Sequence, residues 1–192
     1  MMLSTRFDEA VRWAAEVHSK DVRKGTNIPY ISHPLAVASI VLECGGTEDE
    51  AVAALLHDVV EDHPNEVSFE EVGRRFGIEV STIVRGCSDS STYPKPPYRE
   101  RKEAYIEHLA TATPSTRLVS LADKVHNARS ILRDHQTDGD RLWKRFNAGK
   151  DDRVQSYRFR STVPELARLF DGTEQLVAVS VIPWYAREVR LP

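Results

Sequence analysis

The chain has 192 residues, 41% of them hydrophobic, and its 26 Lys and Arg nearly balance its 29 Asp and Glu. This is an ordinary globular composition, and the net charge of -3 gives no global reason to bind nucleic acid. Cys44 and Cys87 form no CxxC motif, which argues against a disulfide framework or a thiolate zinc site. The longest apolar run, Ala51 to Leu56, is far shorter than the roughly 18 residues of a membrane span. The first ten residues, MMLSTRFDEA, are charged where a signal peptide is apolar, so we expect a cytoplasmic protein without a membrane partner.

Apolar residues recur three and four positions apart along most of the chain, while strand alternation is scarce, which predicts an all-α fold. The first helix has Thr5 and Asp8 as its candidate capping pair. A basic loop, KDVRKGTNIPYISHP, then leads into a second helix, which begins around Pro34. The pair Gly45-Gly46 is expected to end that helix.

The third predicted helix, EDEAVAALLHDVVED, is strongly apolar between its polar ends. Thr47 and Glu50 form a capping box at its start, and His63-Pro64 ends it. Ser68 is expected to cap a short fourth helix, and the segment IEVSTIVRGCS predicts a fifth. These last two helices are interpreted as scaffold.

The second half begins with a proline-rich segment, SDSSTYPKPPYRERK, which predicts an exposed loop before the helix YRERKEAYIEHLAT. The next predicted helix, STRLVSLADKVHNARSILRDH, carries an apolar stripe typical of a buried face. A last helix is predicted over DDRVQSYRFRSTVPELARLF, and the tail that follows it fits either a short helix or a strand.

Four ionisable residues stand together at the end of the third predicted helix. His57 and Glu61 are four residues apart, as are Asp58 and Asp62, so a single helix places them in two neighbouring columns. A solvated helix face would explain this pattern without any ligand. The rest of the helix is Ala, Val and Leu, however, and ionisable groups on a buried helix need charge partners or a metal ion.

Two residues elsewhere in the chain supply matching ligand types: His33 in ISHPLAV and Asp123 in SLADKVHN. Taken singly, a capping or packing role suits His33, and a buried ion pair with Lys124 or an arginine suits Asp123. Together with His57 and Asp58 they make a mixed nitrogen and oxygen set. Such a set suits an octahedral ion such as Mn²⁺, Fe²⁺ or Mg²⁺ better than a closed tetrahedral zinc site.

The pattern H…HD…D resembles that of the HD-type metal-dependent phosphohydrolases. Within that superfamily, the segments RKGTNIPYISHP, ALLHDVVED and LVSLADKVHNAR are similar to the hydrolase domain of the RelA/SpoT proteins and the stand-alone small alarmone hydrolases. Those proteins remove pyrophosphate from the ribose 3′ position of (p)ppGpp. The resemblance runs from about Phe7 to about Phe170. It implies an HD-domain helical bundle over residues 1–170, with a tail, residues 171–192, packed on that domain or extending it.

The resemblance also implies a role for each matching residue in the three segments. One Mn²⁺, or another divalent ion, would be held by His33, His57, Asp58 and Asp123. The ion would neutralise charge on the attacked phosphorus and acidify a water molecule. Glu61 and Asp62 would orient that water or take its proton, so their loss is expected to lower the rate more than the metal affinity.

Further residues match positions that contact the nucleotide in that family. The implied substrate-binding residues are Arg23, Lys24, Lys124, Asn127 and Tyr157. A solvated side chain is the plain alternative for Lys24. The basic residues Arg99, Arg101 and Lys102 add to a phosphate-steering surface or, more simply, form a solvated helix face.

His126 fits either the rim of the site or a packing role, and the pattern around His18, His63, His108 and His135 indicates nothing beyond packing or exposure. The predicted function is the Mn²⁺-dependent hydrolysis of (p)ppGpp to GDP or GTP and pyrophosphate, with a small nucleotide as the only predicted partner. One alternative is hydrolysis of another phosphorylated nucleotide, such as NADPH. A second is a catalytically silent HD protein that senses a nucleotide, which predicts a missing ligand or catalytic carboxylate; all six residues are present.

Overall fold

The structure is a computed structural model, and it describes residues 2–89 and 97–145. The chain divides into two compact units, Met1–Asp123 and Lys124–Pro192, and the second is described as far as Arg145. The predicted last helix, the tail and the proposed boundary at residue 170 lie outside the described residues. Most of the proline-rich loop lies outside them as well. Among the helices that are described, none is long and apolar enough to cross a membrane.

The fold is all-α, as the sequence predicts. Within residues 2–89 and 97–145, the β-structure is confined to an isolated bridge between Val22 and Pro29. The helices are α1 (Thr5–Val17), α2 (Ser32–Glu43), α3 (Glu48–Leu56), α4 (Val59–Asp62), α5 (Phe69–Phe76), α6 (Ile78–Cys87), α7 (Tyr98–Thr111) and α8 (Pro114–Asp138). A 3-10 helix, Gly139–Arg145, follows α8 in the second unit.

The helix starts show which capping signals the sequence carries. The Thr47–Glu50 capping box is confirmed: the Glu50 amide donates to Thr47 Oγ1 over 3.3 Å, and the Thr47 amide donates to Glu50 Oε2 over 2.7 Å. Ser68 caps α5 as predicted. The predicted capping role of Thr5 in α1 is wrong, because Ser4 is the N-cap and accepts a hydrogen bond from the Arg6 amide. Ser4 has the extended backbone of an N-cap, whereas Thr5 is already helical.

Helix α3 is the centre of the first unit. It packs against α1, α2 and α6, and every residue from Ala51 to Leu56 is at most 1% exposed. A helix that is apolar on all sides is stable only when other elements surround it. The next residue after Leu56, His57, therefore lies in the interior as well.

The single helix predicted over residues 48–62 is wrong in one respect, because it is interrupted at His57 and Asp58. These two residues form a turn between α3 and α4, and helical hydrogen bonding resumes with the Asp62 amide donating to the Asp58 carbonyl. Neighbouring side chains on a regular α-helix point about 100° apart, so they do not converge on one point. The interruption allows both side chains to face the same place.

Candidate metal centre

Four side chains meet where α3 ends. Nε2 of His33 lies 3.2 Å from Asp123 Oδ1 and 3.5 Å from Asp58 Oδ2. Nε2 of His57 lies 3.0 Å from Asp58 Oδ2 and 3.9 Å from Asp123 Oδ1. We call these four residues the first cluster. They come from α2, the α3–α4 turn and α8, and all four belong to the first unit.

Neighbouring groups fix the direction in which the ligand atoms point. The Nδ1 atom of His57 lies 2.8 Å from the Ala54 carbonyl oxygen, which only accepts, so Nδ1 carries a proton and Nε2 faces the cluster. The Tyr30 hydroxyl donates to Asp58 Oδ2 over 2.6 Å. Partners of this kind set the tautomer and orientation of side chains that bind metal ions.

The charges of the cluster shift the pKa values of its members. Burial lowers the pKa of His57, but the Asp58 and Asp123 carboxylates outweigh burial and raise it to about 9. Burial likewise raises the pKa of Asp58, and the two histidines outweigh it and hold that pKa well below its usual range. Burial, followed by the Asp58 and Asp62 carboxylates, raises the pKa of Tyr30. Tyr30 therefore remains a neutral donor, and the cluster attracts positive charge.

The donor set fits a divalent metal ion. Octahedral bonds of about 2.1 Å separate neighbouring ligand atoms by about 3 Å and opposite ones by about 4.2 Å. The nitrogen-to-oxygen distances in the first cluster, 3.0 to 3.9 Å, fall within that range. The ligand atoms of His33, His57 and Asp58 all lie within 4.8 Å of one another. Two imidazoles and two carboxylates also supply the donor types that such ions take.

Glu61 and Asp62 lie on the single turn of α4, directly after the cluster. The Asp89 backbone amide donates to Glu61 Oε2 over 3.2 Å, which holds the carboxylate in place. Asp89 in turn pairs closely with Arg101, and the two side chains are 5% and 14% exposed. The interpretation of Arg101 as part of a solvated helix face is therefore wrong, because its guanidinium is largely buried in this ion pair, while its part in a phosphate-steering surface stays a prediction.

The basic loop before α2 is an ordered turn. Gly25 has φ of 71°, a conformation that glycine adopts at little cost, and the Arg23 amide donates to the Ile28 carbonyl over 2.8 Å. The Arg23 guanidinium lies 5.6 Å from the centre of the Tyr30 ring, and Lys24 is exposed. The turn thus brings Arg23 to the tyrosine that contacts Asp58.

The other predicted substrate-binding residues lie beyond the first unit. Lys124 and Asn127 follow Asp123 along α8 and belong to the second unit, where both are half-buried. Tyr157 lies outside the described residues. The substrate-binding roles of these three residues stay predictions.

The sequence analysis gives no role to Tyr30 or Asp89, and it does not predict the ion pair between Asp89 and Arg101. Tyr30 stands three positions before His33 within the segment RKGTNIPYISHP, and that proximity was the available signal. Asp89 and Arg101 stand on either side of the proline-rich loop, and nothing in their local pattern predicts that they pair.

The chain is similar to known proteins of one family. A model of the HD domain family matches residues 10–152. The guanosine-3′,5′-bis(diphosphate) 3′-pyrophosphohydrolase MESH1 of Xenopus tropicalis is 44% identical over 128 residues, which cover 65% of this chain and 69% of that protein. The bifunctional (p)ppGpp synthase/hydrolase SpoT of Escherichia coli (strain K12) is 34% identical over 132 residues, which cover 66% of this chain and 18% of SpoT.

A solved structure shares the architecture. It is that of a metazoan orthologue of SpoT, described as hydrolysing ppGpp and playing a role in starvation responses. It matches this chain with a TM-score of 0.69 and 30% sequence identity, and the match covers 97% of each chain.

Proposed function

The chain belongs to the HD domain family and, within it, to the guanosine-3′,5′-bis(diphosphate) 3′-pyrophosphohydrolases, and on this premise we propose that it is a metal-dependent hydrolase of (p)ppGpp. Water would cleave the bond between the ribose 3′ oxygen and its diphosphate, which releases GDP or GTP and pyrophosphate. The observation that carries the proposal is the convergence of His33, His57, Asp58 and Asp123, with nitrogen-to-oxygen distances of 3.0 to 3.9 Å.

The four residues of the first cluster are proposed to hold one divalent ion: the mixed nitrogen and oxygen donors suit Mn²⁺, Fe²⁺ or Mg²⁺, and the resemblance favours Mn²⁺ among them. When bound, such an ion supplies Lewis-acid charge at the phosphoryl group and lowers the pKa of a water molecule. The Ala54 carbonyl supports this arrangement by keeping Nε2 of His57 turned toward the cluster. A cytoplasmic location, expected from the sequence, is part of the same proposal.

Glu61 is the proposed proton acceptor for the attacking water. Its carboxylate is held by the Asp89 amide and stands one helical turn after His57, so it is positioned without being drawn into the cluster itself. Asp62 is exposed, and it is proposed to orient the water or to relay the proton to solvent.

The substrate carries several negative charges, so cations must offset them as it binds. Arg23 is proposed for the nucleotide, because it lies over Tyr30 and hence beside the first cluster. Lys24, Lys124, Asn127 and Tyr157 are proposed as further substrate contacts on the strength of the resemblance.

The decisive experiment measures GDP and pyrophosphate release from ppGpp with added Mn²⁺. The comparison is between the unaltered protein and Asp58→Asn, with Asp8→Asn as the matched control at an exposed position of α1. We expect Asp58→Asn to lower the rate by about a thousandfold or more, because it removes a charged ligand, and Asp8→Asn to leave the rate unchanged.

The same assay with other phosphorylated nucleotides, including NADPH, tests the substrate. If the protein hydrolyses another nucleotide and not ppGpp, the proposed substrate is wrong, while the proposed reaction class stands. If the protein binds the metal ion and hydrolyses no compound in the panel, the proposal that it is a hydrolase is wrong, and a nucleotide sensor is favoured.

A further inference from the structure

A second group of metal-ligating side chains lies apart from the residues used above. Nδ1 of His18 lies 2.8 Å from Asp21 Oδ2, and Nε2 of His63 lies 2.7 Å from the same oxygen. The three ligand atoms lie within 4.8 Å of one another. We call His18, Asp21 and His63 the second cluster.

The backbone holds each member of the second cluster in place. His18 is the C-cap of α1, and its amide donates to the Ala14 carbonyl over 3.1 Å. The Asp21 amide donates to the His18 carbonyl, and the Asp21 carbonyl accepts from the Tyr30 amide over 2.9 Å. His63 ends α4, where its amide donates to the Val59 carbonyl. The three side chains therefore meet because the fold brings two helix ends and a turn together.

The protonation states suit a metal ligand set. Burial lowers the pKa of His18, which keeps the imidazole neutral near pH 7. Burial raises the pKa of Asp21, but the hydrogen bonds from His18 and His63 outweigh burial and lower that pKa, so the carboxylate is ionised. Metal ions bind neutral imidazole and ionised carboxylate, the forms that His18 and Asp21 take here. The negative end of α1 also favours a cation at His18.

We propose that His18, Asp21 and His63 form a second metal site, which takes an ion of the Zn²⁺ class and is separate from the first cluster. Two imidazoles and one carboxylate make a three-residue set that leaves a fourth tetrahedral position for water. The side chains of Asp21 and His63 are 33% and 17% exposed, which gives the ion a route in and the fourth position access to solvent.

Binding requires a small adjustment of the second cluster. The present spacings of 2.7 and 2.8 Å are hydrogen-bond lengths, whereas tetrahedral zinc bonds of about 2.0–2.1 Å separate ligand atoms by about 3.3 Å. The ion takes the place of the two hydrogen bonds to Asp21, and the proton of each imidazole moves to its other ring nitrogen, so that both rings stay neutral. Because Asp21 and His63 are partly exposed, they can move apart by half an ångström without disturbing the core.

The two clusters are joined through one side chain. The His18 and Tyr30 rings lie 4.7 Å apart between centroids, and the Tyr30 hydroxyl donates to Asp58 of the first cluster. The second site is thus next to the first while sharing none of its ligands.

The test counts zinc ions per chain by equilibrium dialysis and elemental analysis of the full-length protein. The variants are His63→Gln, Asp58→Asn and the combination of both, with His108→Gln as the matched control at an exposed histidine. Zn²⁺ binds nitrogen and oxygen donors more tightly than Mn²⁺ and so also fills the first cluster in a zinc solution. We therefore expect two ions in the unaltered protein and in His108→Gln, one in each of the other single variants, and none in the double variant.

The proposal is overturned if His63→Gln binds as many ions as the unaltered protein, or if the double variant binds as many as Asp58→Asn. Asp21→Asn, with folding checked by circular dichroism in EDTA, provides a second way to remove the site and is expected to lose the same ion. The count on the Asp58→Asn background does not depend on the proposed function. Even if the protein does not hydrolyse ppGpp, adding His63→Gln to Asp58→Asn is expected to remove one zinc ion.

Discussion

The two clusters on either side of Tyr30 are built from the same residue types, yet the pKa of one histidine in each is shifted in opposite directions. In the first cluster, two carboxylates face two imidazoles, and they raise the pKa of His57 to about 9. In the second cluster, one carboxylate is shared by two imidazoles, and burial lowers the pKa of His18. The comparison teaches that two facing carboxylates outweigh the effect of burial on the pKa of His57, whereas burial outweighs the one shared carboxylate at His18.

The largest expected effect comes from a variant that gives the first cluster one carboxylate and two imidazoles, as in the second cluster. Asp123→Asn leaves one ionised carboxylate in the first cluster, so we expect a loss of metal affinity and a fall of about a thousandfold in ppGpp hydrolysis at fixed Mn²⁺. The measurements are metal titration and steady-state rates. If Asp123→Asn bound and turned over like the unaltered protein, Asp123 would have no part in the site.

The next effect separates the carboxylates that surround the metal from the one that handles the proton. Glu61→Gln is expected to lower kcat by about a hundredfold and to leave metal affinity unchanged, because Glu61 lies outside the first cluster. Glu66→Gln, at an exposed position nearby, is the control. A fall in metal affinity that matched the fall in rate would instead make Glu61 a ligand.

The third effect concerns pH. A metal ion must displace the proton that the carboxylates hold on His57, so metal affinity at the first cluster is expected to rise roughly tenfold per pH unit and to level off near pH 9. In the metal-free protein, the effect of pH on stability has the opposite direction. The raised pKa contributes stability that is complete below pH 6.5 and is lost as the pH rises through about 9.

Metal titrations between pH 6.5 and 9.5 measure how metal affinity at the first cluster changes with pH. Thermal unfolding in EDTA over the same range measures how stability changes with pH. The second cluster is the internal reference, because the lowered pKa of His18 imposes no such slope above pH 6.5. An affinity that was flat with pH at the first cluster would contradict the charge argument.

The smallest effect tests the side chain between the clusters. Tyr30→Phe removes the hydrogen bond to Asp58 and keeps the ring next to His18, so we expect about a tenfold loss of metal affinity at the first cluster. Tyr105→Phe, which removes a buried hydrogen bond to Ser120, is the matched control and is expected to cost stability alone. Equal metal affinities in the two variants would mean that Tyr30 does not position Asp58.

Patterns that act over short stretches of the chain were predictable from the sequence. The Thr47–Glu50 capping box and the burial of Ala51 to Leu56 both follow from residues within one helix, and both are confirmed. The chemistry of the four residues, together with the resemblance, predicts the members of the first cluster. The structure brings these residues together although His33 and Asp123 stand far apart in the chain.

Features that depend on distant contacts were not predictable. The interruption of the helix at His57 and Asp58 has no signal in the local pattern, which continues as an apolar helix. His18 and His63 had no assigned role, because Asp21, which joins them, belongs to a different part of the chain from His63. A single sequence shows helical periodicity, whereas it does not show which helix ends will meet.

The position of α3 makes the count of residues before His57 a part of the site. The Thr47–Glu50 capping box fixes where the helix begins, and burial on every side prevents it from sliding or turning. One residue inserted or deleted between Thr47 and His57 would turn the imidazole by about 100° and shift it by about 1.5 Å along the axis. The length of α3 therefore specifies the position of the His57 imidazole, and we expect the site to lose function with any insertion or deletion in this helix.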